Sequence, residues 1–265
     1  MRTNRIDQLF SERKGEILSI YMTAGFPELQ DTGRVLRALQ KHGADMVEIG
    51  IPFSDPLADG AVIQQSSQIA LSNGMSLDLL FTQLKEIRQS LRIPLVLMGY
   101  LNPILQMGME QFLKRCRDTG IDGVIIPDLP PLEYETRYLE LFRSYGIYHS
   151  LLITPHTDKS RIEKIASLSG GFVYLVAEST TTGARESVVE HQRAYFQRLK
   201  EMNLPVPGLI GFGISNRETF QTACEFARGA IIGSAFIKAL GAAKSHTLEE
   251  KVEQFIGGIR GRKDS

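Results

Sequence analysis

The feature that most constrains this chain is a rhythm: eight short apolar, β-branched runs separated by longer amphipathic stretches. The runs are Ile17–Thr23, Met46–Gly50, Leu95–Gly99, Gly123–Pro127, Tyr148–Ile153, Phe172–Val176, Gly208–Phe212 and Ala230–Gly233. Continuous apolar runs of this length suit strands buried on both faces, as in a parallel sheet covered by helices. The intervening stretches carry apolar residues at helical spacing. They predict helices entered at Asp31 as N-cap and near Ala61, then over Leu77–Leu91, Met109–Thr119, Leu132–Tyr145, Asp158–Leu168, Val188–Met202, Asn216–Phe226 and Leu248–Ile259. One more, Ile6–Lys14, precedes the first strand. Strands alternating with helical crossovers give a closed (β/α)8 barrel or an open doubly wound sheet. The count of eight and the absence of a GxGxxG fingerprint after the first run favour the barrel. The expected fold is α/β, a (β/α)8 (TIM) barrel with an extra N-terminal helix. Such a barrel takes about 250 residues. The chain has 265 and no linker, so residues 1–265 are expected to form a single domain.

Charge narrows the function. Thirty basic residues balance thirty acidic ones, so nothing invites a polyanion such as nucleic acid or an anionic membrane surface. The N-terminus lacks a signal-peptide run, and no stretch approaches the ~18 apolar residues of a membrane span. Cys116 and Cys224 belong to no CxxC cluster and read as free thiols in a reducing compartment. The five histidines lack metal-ligand spacing, so no metal site is expected. A soluble, cytoplasmic enzyme is the simplest class.

In a (β/α)8 barrel the catalytic groups lie at the C-terminal ends of the strands. Glu48 sits in the middle of the second apolar run, where burying a carboxylate without a partner is costly. Partial desolvation would raise its pKa and let it both give and take a proton. Bonding to a neighbouring amide or arginine is the plainer reading. The loop after it, Ile51 to Gly60, is rich in proline and holds Asp55 and Asp59. Asp59 could face Glu48 across a substrate or simply cap the next helix. Three glycine-bearing segments follow the last three strands: Ser179–Ala184, Gly211–Ser215 and Gly233-Ser234. Glycines let backbone amides approach an anion, and Ser234–Leu240 can be the short extra helix that often completes a phosphate site. Tyr21, Ile63, Met98, Tyr174 and Phe212 fall near strand ends, where they could line a slot for a flat ring or pack as ordinary rim residues. No lysine occupies the C-terminal half of a strand, which argues against a Schiff-base aldolase. Acid–base cleavage, isomerisation and epimerisation remain open.

The block Glu48-Ile49-Gly50-Ile51-Pro52-Phe53-Ser54-Asp55-Pro56-Leu57-Ala58-Asp59-Gly60 resembles the signature of the tryptophan synthase alpha subunit family. Thr23-Ala24-Gly25, Tyr100-Leu101-Asn102-Pro103, Pro127-Asp128-Leu129-Pro130, Thr182-Gly183, Gly211–Ser215 and Gly233-Ser234 follow in the family's order, so the likeness runs from about Ile17 to Lys238. The resemblance implies retro-aldol cleavage of indole-3-glycerol phosphate to indole and glyceraldehyde 3-phosphate. It implies Glu48 as the proton carrier, Asp59 as acceptor of the indole N–H, and Tyr174 beside the reacting glycerol. Gly183, Gly213, Gly233 and Ser234 would hold the phosphate, and Tyr21, Ile63, Met98 and Phe212 would enclose the ring. It also implies a beta-subunit partner in an alpha2beta2 heterotetramer. Loops carrying Pro52, Phe53, Asp55 and Asn102 would lie at that contact. Pyridoxal phosphate (PLP) would belong to the partner, with no cofactor in this chain.

Overall fold

The computed structural model describes residues 4–177, 185–211, 213–243 and 245–261. The apolar runs form parallel strands: β1 (Ile17–Thr23), β2 (Met46–Gly50), β3 (Leu95–Met98), β4 (Gly123–Ile125), β5 (Tyr148–His149), β6 (Leu152–Ile153), β7 (Val173–Val176), β8 (Gly208–Gly211) and β9 (Gly229–Ile232). Nine segments appear because the fifth run is divided. The hydrogen-bonded order is β5-β4-β3-β2-β1-β9-β8-β7-β6. Its two ends, β5 and β6, are halves of the one run Tyr148–Ile153. Between them the Ser150 N–H still donates to the Val124 carbonyl of β4 (3.0 Å), and the Leu151 carbonyl still accepts from the Tyr174 N–H of β7 (2.9 Å). The sheet therefore closes on itself within one stretch of backbone, as the tilt and stagger of a barrel require. The (β/α)8 barrel is the observed fold.

The helices are α1 (Arg5–Glu12), α2 (Asp31–His42), α3 (Ala61–Ser72), α4 (Leu77–Ile87), α5 (Leu101–Met107), α6 (Met109–Thr119), α7 (Pro131–Glu133), α8 (Leu139–Tyr145), α9 (Lys159–Leu168), α10 (Arg185–Glu201), α11 (Arg217–Phe226), α12 (Ser234–Gly241) and α13 (Leu248–Arg260). Three details depart from the sequence reading. Asp31 is the first helical residue of α2 rather than its cap; its carboxylate accepts from Arg34 Nη1 at 2.7 Å. A π-helical turn, Tyr134–Tyr138, interrupts the expected Leu132–Tyr145 helix. Asn102 and Pro103 lie on the short helix α5 rather than in a loop.

A repeated device ties helices to strands. α2, α6 and α8 each end on a left-handed glycine, Gly43, Gly120 and Gly146, a conformation that glycine adopts without a Cβ clash. The residue after each glycine bonds back into its helix: Ala44 to Leu39, Ile121 to Cys116 and Ile147 to Phe142. After the first two turns comes an aspartate. Asp45 and Asp122 each give their N–H to a carbonyl of the neighbouring strand (Leu18 and Leu95, both 2.9 Å). Their carboxylates accept the N–H of those same residues, again at 2.9 Å. Arg13 and Arg260 pair with Asp45, and Arg5 and Arg88 with Asp122. The N-terminal end of the barrel is thereby stitched by two buried carboxylates, each held by a strand N–H and two arginines.

Candidate active site

Glu48 is the third residue of β2 and pairs across the sheet with Tyr21 of β1. Ser19, two residues before Tyr21, shares its face. The Ser19 hydroxyl donates to Glu48 Oε1 at 3.0 Å. Glu48 is fully buried, and its Oε2 has no hydrogen-bond partner among the described residues. Burial raises its pKa to about 8, against a smaller lowering by the Ser19 bond, which favours the anion. At neutral pH Glu48 is thus mainly a carboxylic acid with a proton to give.

Asp59 lies in the turn between β2 and α3, its N–H on the Pro56 carbonyl at 3.0 Å. It does not cap α3: Gly60 holds the cap position and no side chain bonds there. Instead the Tyr100 hydroxyl donates to Asp59 Oδ2 at 3.0 Å. Burial raises the Asp59 pKa, and the Tyr100 bond offsets part of that rise. Tyr174 of β7 is buried, and its phenol is held well above its ordinary pKa, first by burial and then by the charges of Glu48 and Asp59. Burial and Asp59 act the same way on Tyr21. Two carboxyls and two phenols therefore share the C-terminal end of the barrel interior, and the carboxylates disfavour ionisation of the phenols.

Two glycines make room for the phenols. A Cβ on Gly50 would stand 2.1 Å from the Tyr21 hydroxyl, and one on Gly211 would stand 2.0 Å from that of Tyr174. In each pair the tyrosine lies on one strand and the glycine two residues further along the next. Any side chain at either glycine would evict the ring.

A cavity of about 70 Å³ opens among Tyr21, Asp59, Ile63, Met98, Tyr174, Gly213, Ile214, Ile231, Gly233 and Ser234. Eight of these ten were named from the sequence, so residues from distant segments do converge. Glu48 is not part of the lining; Ser19 holds its carboxyl within the barrel interior. Gly233 and Ser234 open α12, whose first-turn amides have no acceptor within the helix. Gly183 and Phe212 lie outside the described residues. Among the residues named for a partner, Asp55 and Asn102 are exposed, Phe53 is half-buried and Pro52 is buried within the chain. Sequence reasoning missed Ser19, Ile214, Ile231 and the role of Tyr100. Larger clefts open at the opposite end of the barrel, beside the paired Asp45 and Asp122, away from Glu48 and Asp59.

A closed parallel barrel with an uncharged glutamic acid and a hydroxyl-bonded aspartate at its C-terminal end belongs to the acid–base (β/α)8-barrel enzymes. The family description Tryptophan synthase alpha chain matches residues 8–261. A tryptophan synthase alpha chain from Bacteroides thetaiotaomicron is 54% identical over 237 residues, covering 89% of this chain and 93% of the relative. The crystal structure of a tryptophan synthase alpha chain from Legionella pneumophila superposes with a TM-score of 0.88 at 31% identity, over 98% of this chain and 97% of that one. A tryptophan synthase complex from Pyrococcus furiosus contains a chain that matches with a TM-score of 0.82 at 34% identity, over 92% of this chain and 97% of that one. The chain belongs to the tryptophan synthase alpha chain family.

Proposed function

We propose that Glu48 and Asp59 divide the work of cleaving indole-3-glycerol phosphate to indole and glyceraldehyde 3-phosphate, the lyase reaction of this family. Glu48 gives its proton to the ring carbon that bears the glycerol chain, and the ring nitrogen becomes cationic. Asp59 accepts the ring N–H and balances that charge. The glycerol hydroxyl on the adjacent carbon then loses its proton to Glu48 and becomes a carbonyl. As it does, the carbon–carbon bond breaks and its electron pair returns to the ring. Indole leaves, Glu48 is protonated again, and no water or cofactor is consumed. General acid–base catalysis of this kind needs a group whose pKa lies near the working pH. The observation that carries the reading is Glu48, buried with one oxygen unpartnered among the described residues and a pKa of about 8.

Tyr174 stands beside the reacting glycerol, while Tyr21, Ile63, Met98 and Phe212 close around the ring. Backbone N–H groups at Gly183, Gly213, Gly233 and Ser234 hold the phosphate, helped by the positive end of α12. The partner is a tryptophan synthase beta subunit, which carries the PLP and receives the indole within an alpha2beta2 assembly. Its docking face includes Phe53, Asp55 and Asn102. Leu57, Leu105 and Leu132, which are 92%, 47% and 69% exposed, support this face. They follow β2, β3 and β4, three neighbouring strands, and so lie along one side of the barrel mouth. Among the described residues no helix is long and apolar enough to cross a membrane; the proposed setting is the cytoplasm. The test is indole release by the wild-type chain and by Glu48→Gln, each alone and with a beta subunit. Activity in the wild type and at most a small residual rate in the variant are expected; equal rates would remove Glu48 from the mechanism.

A further inference from the structure

We infer that Tyr100 is a positioning residue that fixes the direction and the charge of Asp59. A phenol has one proton and accepts through its lone pairs. The Ala58 N–H donates to the Tyr100 oxygen at 3.0 Å, so the phenol proton is free to point the other way, to Asp59 Oδ2 at 3.0 Å. One hydroxyl thus grips the backbone of residue 58 and the side chain of residue 59. It comes from the segment after β3, while the gripped turn follows β2. The ring cannot swing away: it is 7% exposed and stacks on Phe53, with centroids 5.3 Å apart and planes 28° apart. Phe53 belongs to the same loop as Asp59, so Tyr100 pins that loop at two points.

The bond also selects the charge state. A donor favours the anion, whereas burial favours the neutral acid. Asp59 faces Tyr21 from β1 and Tyr174 from β7, with Glu48 below. None of these supplies a positive charge. Asp128, after β4, is occupied by the Leu101 N–H at 2.9 Å. The Tyr100 proton is the side-chain donor seen on Asp59, opposing the desolvation that would neutralise it.

The inference rests on the reading of Asp59 as an anionic acceptor of the ring N–H, and its test separates the two. Tyr100→Phe keeps the ring and its stack on Phe53 and removes only the hydroxyl. In the full chain, the Asp59 carboxyl is titrated by carbon-13 NMR in wild type and Tyr100→Phe. Its midpoint should rise by about one pH unit or more; an unmoved midpoint overturns the inference whether or not the chain is active. In the complex with the beta subunit, kcat for indole release should fall roughly 10- to 100-fold with KM little changed. The acid limb of its pH profile should move upward with the carboxyl midpoint. In the Asp59→Asn background, Tyr100→Phe should cost almost nothing further, since it acts through the missing carboxylate. A full loss in that background would mean that Tyr100 acts elsewhere. A wild-type chain without cleavage would overturn the assigned reaction, and the carboxyl titration would still decide the role of Tyr100.

Discussion

Asp45 and Glu48 are three residues apart on the same stave of the barrel, and they are treated in opposite ways. Asp45, at the N-terminal end, accepts a strand N–H and two arginines. Glu48, toward the C-terminal end, has one serine hydroxyl on one oxygen and nothing on the other among the described residues. Asp122 repeats the first pattern with Arg5, Arg88 and the Leu95 N–H. Asp59 repeats the second, with the Tyr100 hydroxyl alone on its side chain among the described residues. A buried acid with a full set of partners serves the fold. An acid left short of partners has its pKa raised by burial, and is the kind to which the proposed mechanism assigns the chemistry. Among these four acids the two kinds are sorted by end.

The sharpest way to break that comparison is to neutralise each kind in turn. Glu48→Gln should cut indole release by roughly 10³-fold while the chain still folds; a steady-state assay with the beta subunit reads it. Asp122→Ala should do the reverse. It leaves Arg88 buried without its carboxylate, so it should cost about 3–5 kcal/mol of stability in a denaturant titration. The kcat of the folded fraction should hardly move; a large fall in kcat at unchanged stability would erase the distinction between the ends.

A pH series sharpens it further. Glu48 has a folded pKa of about 8, above its ordinary value of 4.5. Between those values the folded chain keeps a proton that the unfolded chain releases. Its contribution to stability therefore falls as pH rises through that window, by at most about 1.4 kcal/mol per pH unit. Glu48→Gln should flatten this decline and melt higher than wild type near pH 8, losing that advantage by pH 4. The smallest expected effect is that of Gly211→Ala. The new methyl meets the Tyr174 ring, an overpacking cost of about 1–3 kcal/mol, and displaces the phenol from beside Glu48. Its alkaline limb in the pH–rate profile should shift, whereas Gly146→Ala, with open space around it, should leave that limb in place.

The sequence carried the strands because burial on both faces leaves a continuous apolar run, and seven of the eight runs became single strands. The fifth divides because Tyr148–Ile153 must serve two neighbours at once, a demand that nothing in its composition betrays. α5 was missed because seven residues with a proline at the third position carry too little periodicity to stand out from a loop. Glu48 was legible as a charge in an apolar strand, and Asp59 as an acid in a rigid loop. Their partners were not: Ser19 is 29 residues from Glu48 and Tyr100 is 41 from Asp59. A hydroxyl on a strand or at its end looks the same whether it meets a carboxylate or a carbonyl. The Gly-x-Asp steps at Gly43–Asp45 and Gly120–Asp122 were a readable signal, since one local pattern occurs twice before alternate strands of the barrel.

The pairing of β1 with β9, from Ile17 with Gly229 to Ile20 with Ile232, has a consequence for synthesis. β1 carries Ser19, which bonds Glu48, and Tyr21, which lines the cavity with Asp59, yet one of its edges has no neighbour until the last strand has left the ribosome. A truncated product that ends before Gly229 leaves that edge open to water, with Glu48 one strand away. Burial is what holds its pKa near 8, so exposing the carboxyl to water lowers it toward its ordinary value. The proposed proton transfer thus depends on a chain translated through its final strand.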